Sequence, residues 1–277
     1  MYIVLLDFLV MRPILSLPAW HGARWTAWFR ECCKGCGAIL DELILGLTPL
    51  RWGKKPLAQG EKIAVRLLIP PDSITLIPAF FRVLTATASR HEFSAASLHF
   101  ISARDFFTNN VIWQNDAPTG STLQPFSETH FIRDINALTS LPRFSLRFIS
   151  PLRLPRPASL RPSRKDVARY AIPADLLELQ GLAHLLTKIR HMSPPDHALD
   201  LDAHLTIDGA ATNLHWSDLR YNEQRKIALG GICGQITFNG QPDAEIARRL
   251  ILGQYLGAGK NARFGLGHWL IPEIKQH

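Results

Sequence analysis

The 277 residues are 47% hydrophobic and 19% charged, values that exclude a disordered chain and allow one large domain or two of ordinary size. The formal net charge of +8 points toward a polyanion, meaning nucleic acid or an acidic membrane surface. Ile3 to Met11 is apolar, but Asp7 interrupts it and it falls short of the roughly 18 residues a membrane span needs, so a soluble cytoplasmic protein is expected.

Tyr2 to Val10 reads as a first, buried strand. Pro18 to Leu40 contains a helical stretch in which Trp25, Trp28, Phe29 and Cys32 recur at helical spacing. Cys33 and Cys36 have the spacing of half a zinc site, yet no second Cys-x-x-Cys or His pair completes it, so no metal or other cofactor is expected and the thiols read as reduced. Gly60 to Ile69 alternates like a strand and stops at Pro70-Pro71. Asp72 or Ser73 is placed to cap a helix from Ile74 to about Ala88. Ser97 to Phe107 reads as another strand, and Thr108 to Ser127 as a loop or irregular hairpin.

The same order begins again near Phe144. Phe144 to Leu154 is a predicted strand, and Ala174 to Met192 an amphipathic helix with Leu176, Leu179, Ala183, Leu186 and Ile189 on one face. Asn213 to Tyr221 and Gly231 to Asn239 are predicted strands, Asp243 caps a helix to about Tyr255, and Gly265 to Pro272 closes the chain as a strand. The β-α-β-β-α-β order predicts an α+β protein of two tandem ferredoxin-like domains, residues 1–143 and 144–277. A basic, Pro-rich insert over about 153–170 carries Arg153, Arg156, Arg161, Arg164, Lys165 and Arg169. It reads either as a solvated linker or as an arm for phosphates.

The most informative stretch is Leu256-Gly257-Ala258-Gly259-Lys260-Asn261-Ala262-Arg263-Phe264-Gly265-Leu266-Gly267-His268. Glycines let backbone N–H groups approach a phosphate, and Lys260 and Arg263 add charge beside them. A nucleotide-binding P-loop follows a strand and opens a helix. This loop follows a helix and opens a strand, and no Ser or Thr succeeds Lys260 to hold magnesium. A purely structural glycine loop is the other reading.

This loop, with Gly230-Gly231-Ile232-Cys233-Gly234 before it, resembles the C-terminal glycine-rich loop and preceding strand of the CRISPR repeat-processing endoribonucleases of the repeat-associated mysterious protein (RAMP) superfamily. Leu214 to Tyr221, Phe148 to Leu154 and, more loosely, Gly22 to Trp28 fit the same family. The resemblance implies metal-independent cleavage of CRISPR repeat RNA, a stem-loop, by 2′-OH attack. It also implies retention of the crRNA with other effector subunits, with no membrane involved. The runner-up is a non-catalytic RAMP subunit that binds guide RNA.

His21, at a helix start in the first domain, is the first candidate for the base, and Arg24 for stabilising charge. Lys34 and Tyr170 are further candidates for acid or charge stabiliser. The expected RNA-binding residues are Gly257, Gly259, Lys260, Asn261, Arg263, Gly265, Gly267 and His268 on the loop. Arg220, Arg225, Lys226, Arg153, Arg156 and Arg164 extend the basic face, and Arg51, Lys54 and Lys55 beside Trp52 form a second basic group.

Overall fold

The computed structural model describes residues 1–14, 21–50, 56–87, 98–156, 169–218, 220–222, 227–228 and 230–274, which form two compact units, Met1–Ser127 and Glu128–His277. Among the described residues no helix is long and apolar enough to cross a membrane.

In the first unit the order is β1 (Tyr2–Val10), α1 (Gly22–Gly35), α2 (Leu40–Leu43), β2 (Gly46–Pro49), β3 (Lys62–Ile69), α3 (Ile77–Thr87), β4 (Leu98–Asp105), β5 (Val111–Gln114) and β6 (Ala117–Pro118). Its sheet runs β2-β3-β1-β4-β5-β6, with β1 antiparallel to both β3 and β4. Strand β1 is central because its apolar residues bury on the sheet, with Ile3, Val4, Leu6, Phe8 and Val10 all fully enclosed. Helix α1 turns Trp25 and Trp28 onto Phe8, and Phe29 beside them meets Phe80 of α3. This aromatic interior fixes where α1 begins and which face it shows to solvent. The stretch Thr108 to Ser127 holds the β5–β6 hairpin. Neither Asp72 nor Ser73 caps a helix: a 3-10 turn opens at Pro71, and the Ser73 hydroxyl donates to the Glu42 carbonyl at 2.8 Å.

The second unit contains α4 (Ile132–Thr139), β7 (Arg143–Leu152), α5 (Leu179–Thr187), β8 (Leu205–Ile207), β9 (Asn213–Ser217), β10 (Arg220–Asn222), β11 (Ile227–Ala228), β12 (Gly231–Gly240), α6 (Ala244–Leu256) and β13 (Trp269–Leu270). It reaches back to Glu128 because α4 packs on α6, with Phe131 against Tyr255 at 4.8 Å. The sheet order is β13-β7-β12-β8, and β9 pairs with the other end of β12. The second strand of the motif is therefore split in two. Both units carry the ferredoxin-like order, so the α+β tandem ferredoxin-like architecture holds.

The long predicted helix from Ala174 is interrupted. A 3-10 turn spans Pro173–Leu176 and α5 follows, burying Leu182, Leu185 and Leu186 rather than Leu179 and Ala183. A Cβ on Gly181 would lie 1.8 Å from the Asp175 carbonyl oxygen, so the chain turns back on itself there. Asp243 caps α6 as expected, accepting from the Ile246 amide at 2.7 Å. The last strand is shorter than predicted because the loop before it consumes residues 257–268.

Candidate functional site

The loop after α6 crosses the ends of two other elements. Its Lys260 amide donates to the Arg153 carbonyl just past β7 at 2.8 Å, and the Gly259 amide to the Lys188 carbonyl after α5 at 3.1 Å. In return the Arg190 amide donates to the Gly257 carbonyl at 3.0 Å. The loop then closes on itself and on β7, Ala258 to Gly267 at 3.0 Å and Gly267 to Pro151 at 3.0 Å. Gly257, Gly259, Gly265, Gly267 and Asn261 all sit at positive φ. A Cβ on Gly267 would lie 2.0 Å from the Ala258 carbonyl oxygen, a contact no larger residue tolerates.

These bonds change the reading of the glycines. The amides of Gly257 to Lys260 and of Phe264 to Gly267 point at protein carbonyls rather than outward as a phosphate cradle. His268, expected at the RNA surface, is only 1% exposed. Its amide donates to the Ser150 hydroxyl at 2.9 Å, and its ring packs where a Gly257 side chain would stand. The glycines and His268 build the loop, and the side chains it displays carry the charge.

Those side chains converge. The Arg153 guanidinium lies 4.2 Å above the Tyr170 ring and the Lys260 ammonium 5.9 Å from the same ring. Thus Tyr170, expected as an acid or charge stabiliser, and two expected RNA contacts, Arg153 and Lys260, come together as one aromatic shelf. The backbone of Lys188 and Arg190, residues not conspicuous in the sequence, bonds the same loop. Burial, and after it the charge of Arg263, holds the Arg190 guanidinium down to about 10 from the ordinary 12.5. Among the described residues, Arg153 Nε and Arg190 Nη1 are buried with no hydrogen-bond partner. Arg153, Lys188, Arg190 and Lys260 form no ion pair among these residues. Arg156 differs, since Asp175 holds it bidentately at 2.6 and 2.9 Å. Asp175 bonds the Ile172 amide as well, so Arg156 braces the 3-10 turn before α5.

An unpartnered guanidinium N–H in a half-buried site is costly, and a neighbouring like charge adds to the cost. An anion drawn to such a guanidinium relieves that cost. Nothing in the sequence marked Arg190, because its place is set by α5 ending at Thr187 and by the bond of its amide to the loop.

The candidates on α1 are less well gathered. His21 is 4% exposed, and its Nδ1 accepts from the Trp25 indole N–H at 3.0 Å. A neutral ring in that bond carries its proton on Nε2, a tautomer assigned from the hydrogen bond. The lone pair a base needs is therefore engaged. Arg24 is half-buried one turn along the helix. Lys34 lies about 20 Å from His21 by helical rise and pairs with Glu31 at 2.7 Å, so it does not join that group. Cys32 and Cys33 are fully buried, and burial pushes their thiols to about 11 and about 12. No cluster of three or more His, Cys, Asp or Glu able to hold a metal occurs among the described residues. Arg220 lies on β10. Arg164, Arg225 and Lys226, together with Arg161, Lys165, Arg51, Trp52, Lys54 and Lys55, lie outside the described residues.

Comparison with known proteins agrees with this architecture. Residues 146–269 match the family model of the CRISPR-associated endoribonuclease Cas6. A partial Cas6-RT-Cas1–Cas2 complex contains a chain that superposes with a TM-score of 0.69 at 15% identity, covering 100% of this chain and 47% of that one. The present chain thus spans about half the length of that relative. Cas6 from Thermus thermophilus gives 0.52 at 15% identity over 98% and 97% of the two chains. A Cas6-related protein from Pyrococcus furiosus gives 0.51 at 13% identity over 99% of each. No curated protein sequence matches.

Proposed function

We propose that this chain is a Cas6-like member of the RAMP superfamily that binds CRISPR repeat RNA through Arg153 and Lys260 at the Tyr170 ring, with Arg190 contributing from the segment bonded to the same loop, and cleaves it without a metal. The observation that carries the reading is the pair of cations, Arg153 and Lys260, gathered at the Tyr170 ring beside the closed glycine loop, inside the region that matches the family model. RNA offers phosphates at a spacing that one cluster of this kind engages, and single-stranded or A-form backbone presents them without regard to sequence.

Cleavage proceeds by attack of a ribose 2′-OH on the adjacent phosphorus. The 2′-O–P bond forms, the P–O5′ bond breaks, the 2′-OH proton leaves to a base and a proton reaches the departing 5′ oxygen. The products are a cyclic phosphate and a 5′-OH end. Because the His21 lone pair is engaged by Trp25, the larger share of the acceleration falls to holding the RNA in line and to cations that stabilise the added negative charge. Arg24 is the α1 residue suited to that second task. The cleaved RNA stays on the same shelf, as a component of an effector assembly.

The test is incubation of the full chain with end-labelled repeat RNA in EDTA. A cyclic phosphate on the upstream product supports the proposal, and strict dependence on added divalent metal refutes the mechanism. The separation of Lys34 from His21 favours a second reading, an RNA-binding RAMP subunit without nuclease activity. Tight binding with no cleavage in either condition establishes that reading instead.

A further inference from the structure

The remaining feature that the shelf does not use is a tryptophan on the edge of the second sheet. Trp216 of β9 is 38% exposed. The Nε1–Cε2–Cζ2 side of its indole crowds Gly230, where an added Cβ would stand 2.7–2.8 Å from those ring atoms. Its Nε1 donates to Asp218 Oδ1 at 2.8 Å, which fixes the ring in its own plane. The sheet supports it from below, since Trp216 pairs with Ile232 of β12, which is fully buried. The result is a large aromatic ring positioned against backbone, its polar atom satisfied and part of its surface exposed to solvent.

A ring held this way has already lost the rotamer freedom that binding would otherwise remove. The occupant must be flat. It must also tolerate a carboxylate at its rim, which disfavours a phosphate and favours a group offering N–H donors. A nucleobase has both properties, a π-face on each side and N–H groups on its edge. Trp216 also opens the turn that leads to the β10–β11 hairpin, a segment that carries Arg220, Arg225 and Lys226 in sequence.

We propose that Trp216, braced by Gly230 and held by Asp218, is a stacking platform for one unpaired base of the bound RNA. This rests on the RNA-binding reading above and adds to it a contact made to a base rather than to the backbone. It is independent of the shelf, which recognises phosphates alone.

The test uses a short single-stranded oligo(A) and an abasic ribose-phosphate oligomer of equal length, each fluorescein-labelled, with the full chain. Trp216→Ala is expected to weaken oligo(A) binding by roughly 5- to 150-fold, the range for one aromatic stacking contact. It leaves abasic binding and the salt slope unchanged. Trp216→Phe recovers much of the loss. Gly230→Val, which keeps the tryptophan but pushes the ring off its support, reproduces it in part. Equal affinity of Trp216→Ala and wild type for oligo(A) overturns the platform while leaving the shelf standing, as does equal affinity of wild type for the two oligomers. Failure of the wild-type chain to bind either oligomer or a repeat stem-loop overturns the RNA reading and the platform together.

Discussion

Arg190 sets stability against binding, and replacing it by methionine separates the two. Its guanidinium is half-buried, one N–H lacks a partner, and burial with Arg263 nearby holds its pKa to about 10. The fall from 12.5 corresponds to roughly 3 kcal/mol of destabilised charge. A partly exposed group keeps less of that after solvent screening, so a net penalty of about 1–2 kcal/mol is expected. The sign follows from the charge. The folded state disfavours the protonated form, so the penalty holds at every pH below the folded value and lifts only as pH rises through it. Arg190→Met keeps the stem of the side chain and removes the charge. In the RNA-free protein it should raise the unfolding free energy by about 1–2 kcal/mol, read as a Tm increase of roughly 2–4 °C per kcal/mol. The same variant should bind repeat RNA more weakly and lower the slope of log K against log salt by about 0.7–0.9, one phosphate contact. Thermal melts with and without RNA, and titrations over a range of salt, measure both. A variant that melts lower and binds with an unchanged slope refutes the reasoning, since Arg190 would then be a satisfied structural residue.

Gly267→Ala should lower Tm and RNA affinity together, because positive φ and the Ala258 carbonyl leave no room for a Cβ, at a cost of about 1–3 kcal/mol. Lys260→Ala should weaken RNA binding and lower its salt slope while leaving Tm within a degree or so of wild type. His21→Ala should slow single-turnover cleavage in EDTA by less than about tenfold. A loss of 10²–10⁴, the range of a general base, shows that Trp25 releases the ring when RNA binds. Cys32 and Cys33, protonated and enclosed at neutral pH, should resist a thiol reagent in the native chain and react on unfolding. Prompt labelling of either in the native state contradicts their burial.

The sequence carried the architecture because hydrophobic periodicity is written locally. Strand β1 was found at its observed limits, and Asp243 was found as the cap of α6, since each depends on a few neighbouring residues. Elements set by distant partners were not visible. Strand β2 is a four-residue run that exists by pairing with β3, and α4 forms against α6 across a long stretch of chain. The interruption before α5 was hidden for the same reason, because Gly181 meets a carbonyl from the previous turn only once the chain has folded back.

The candidate site divides along the same line. The glycine loop was conspicuous in sequence, but conspicuous glycines have two explanations, a ligand approached by backbone or a backbone approached by backbone. The hydrogen bonds decide for the second at Gly257, Gly259 and Gly267. A loop closed this tightly presents its side chains rigidly. Lys260 stands where its own amide is bonded to Arg153, and both cations reach the Tyr170 ring. Mutual repulsion would drive mobile cations apart. Held just past β7 and on the loop, Arg153 and Lys260 stay together over Tyr170, and an anion bound there would offset the cost of holding them. If the shelf binds RNA as proposed, the glycines act through the geometry they impose, which is why a loop glycine and a loop lysine are expected to fail differently when replaced.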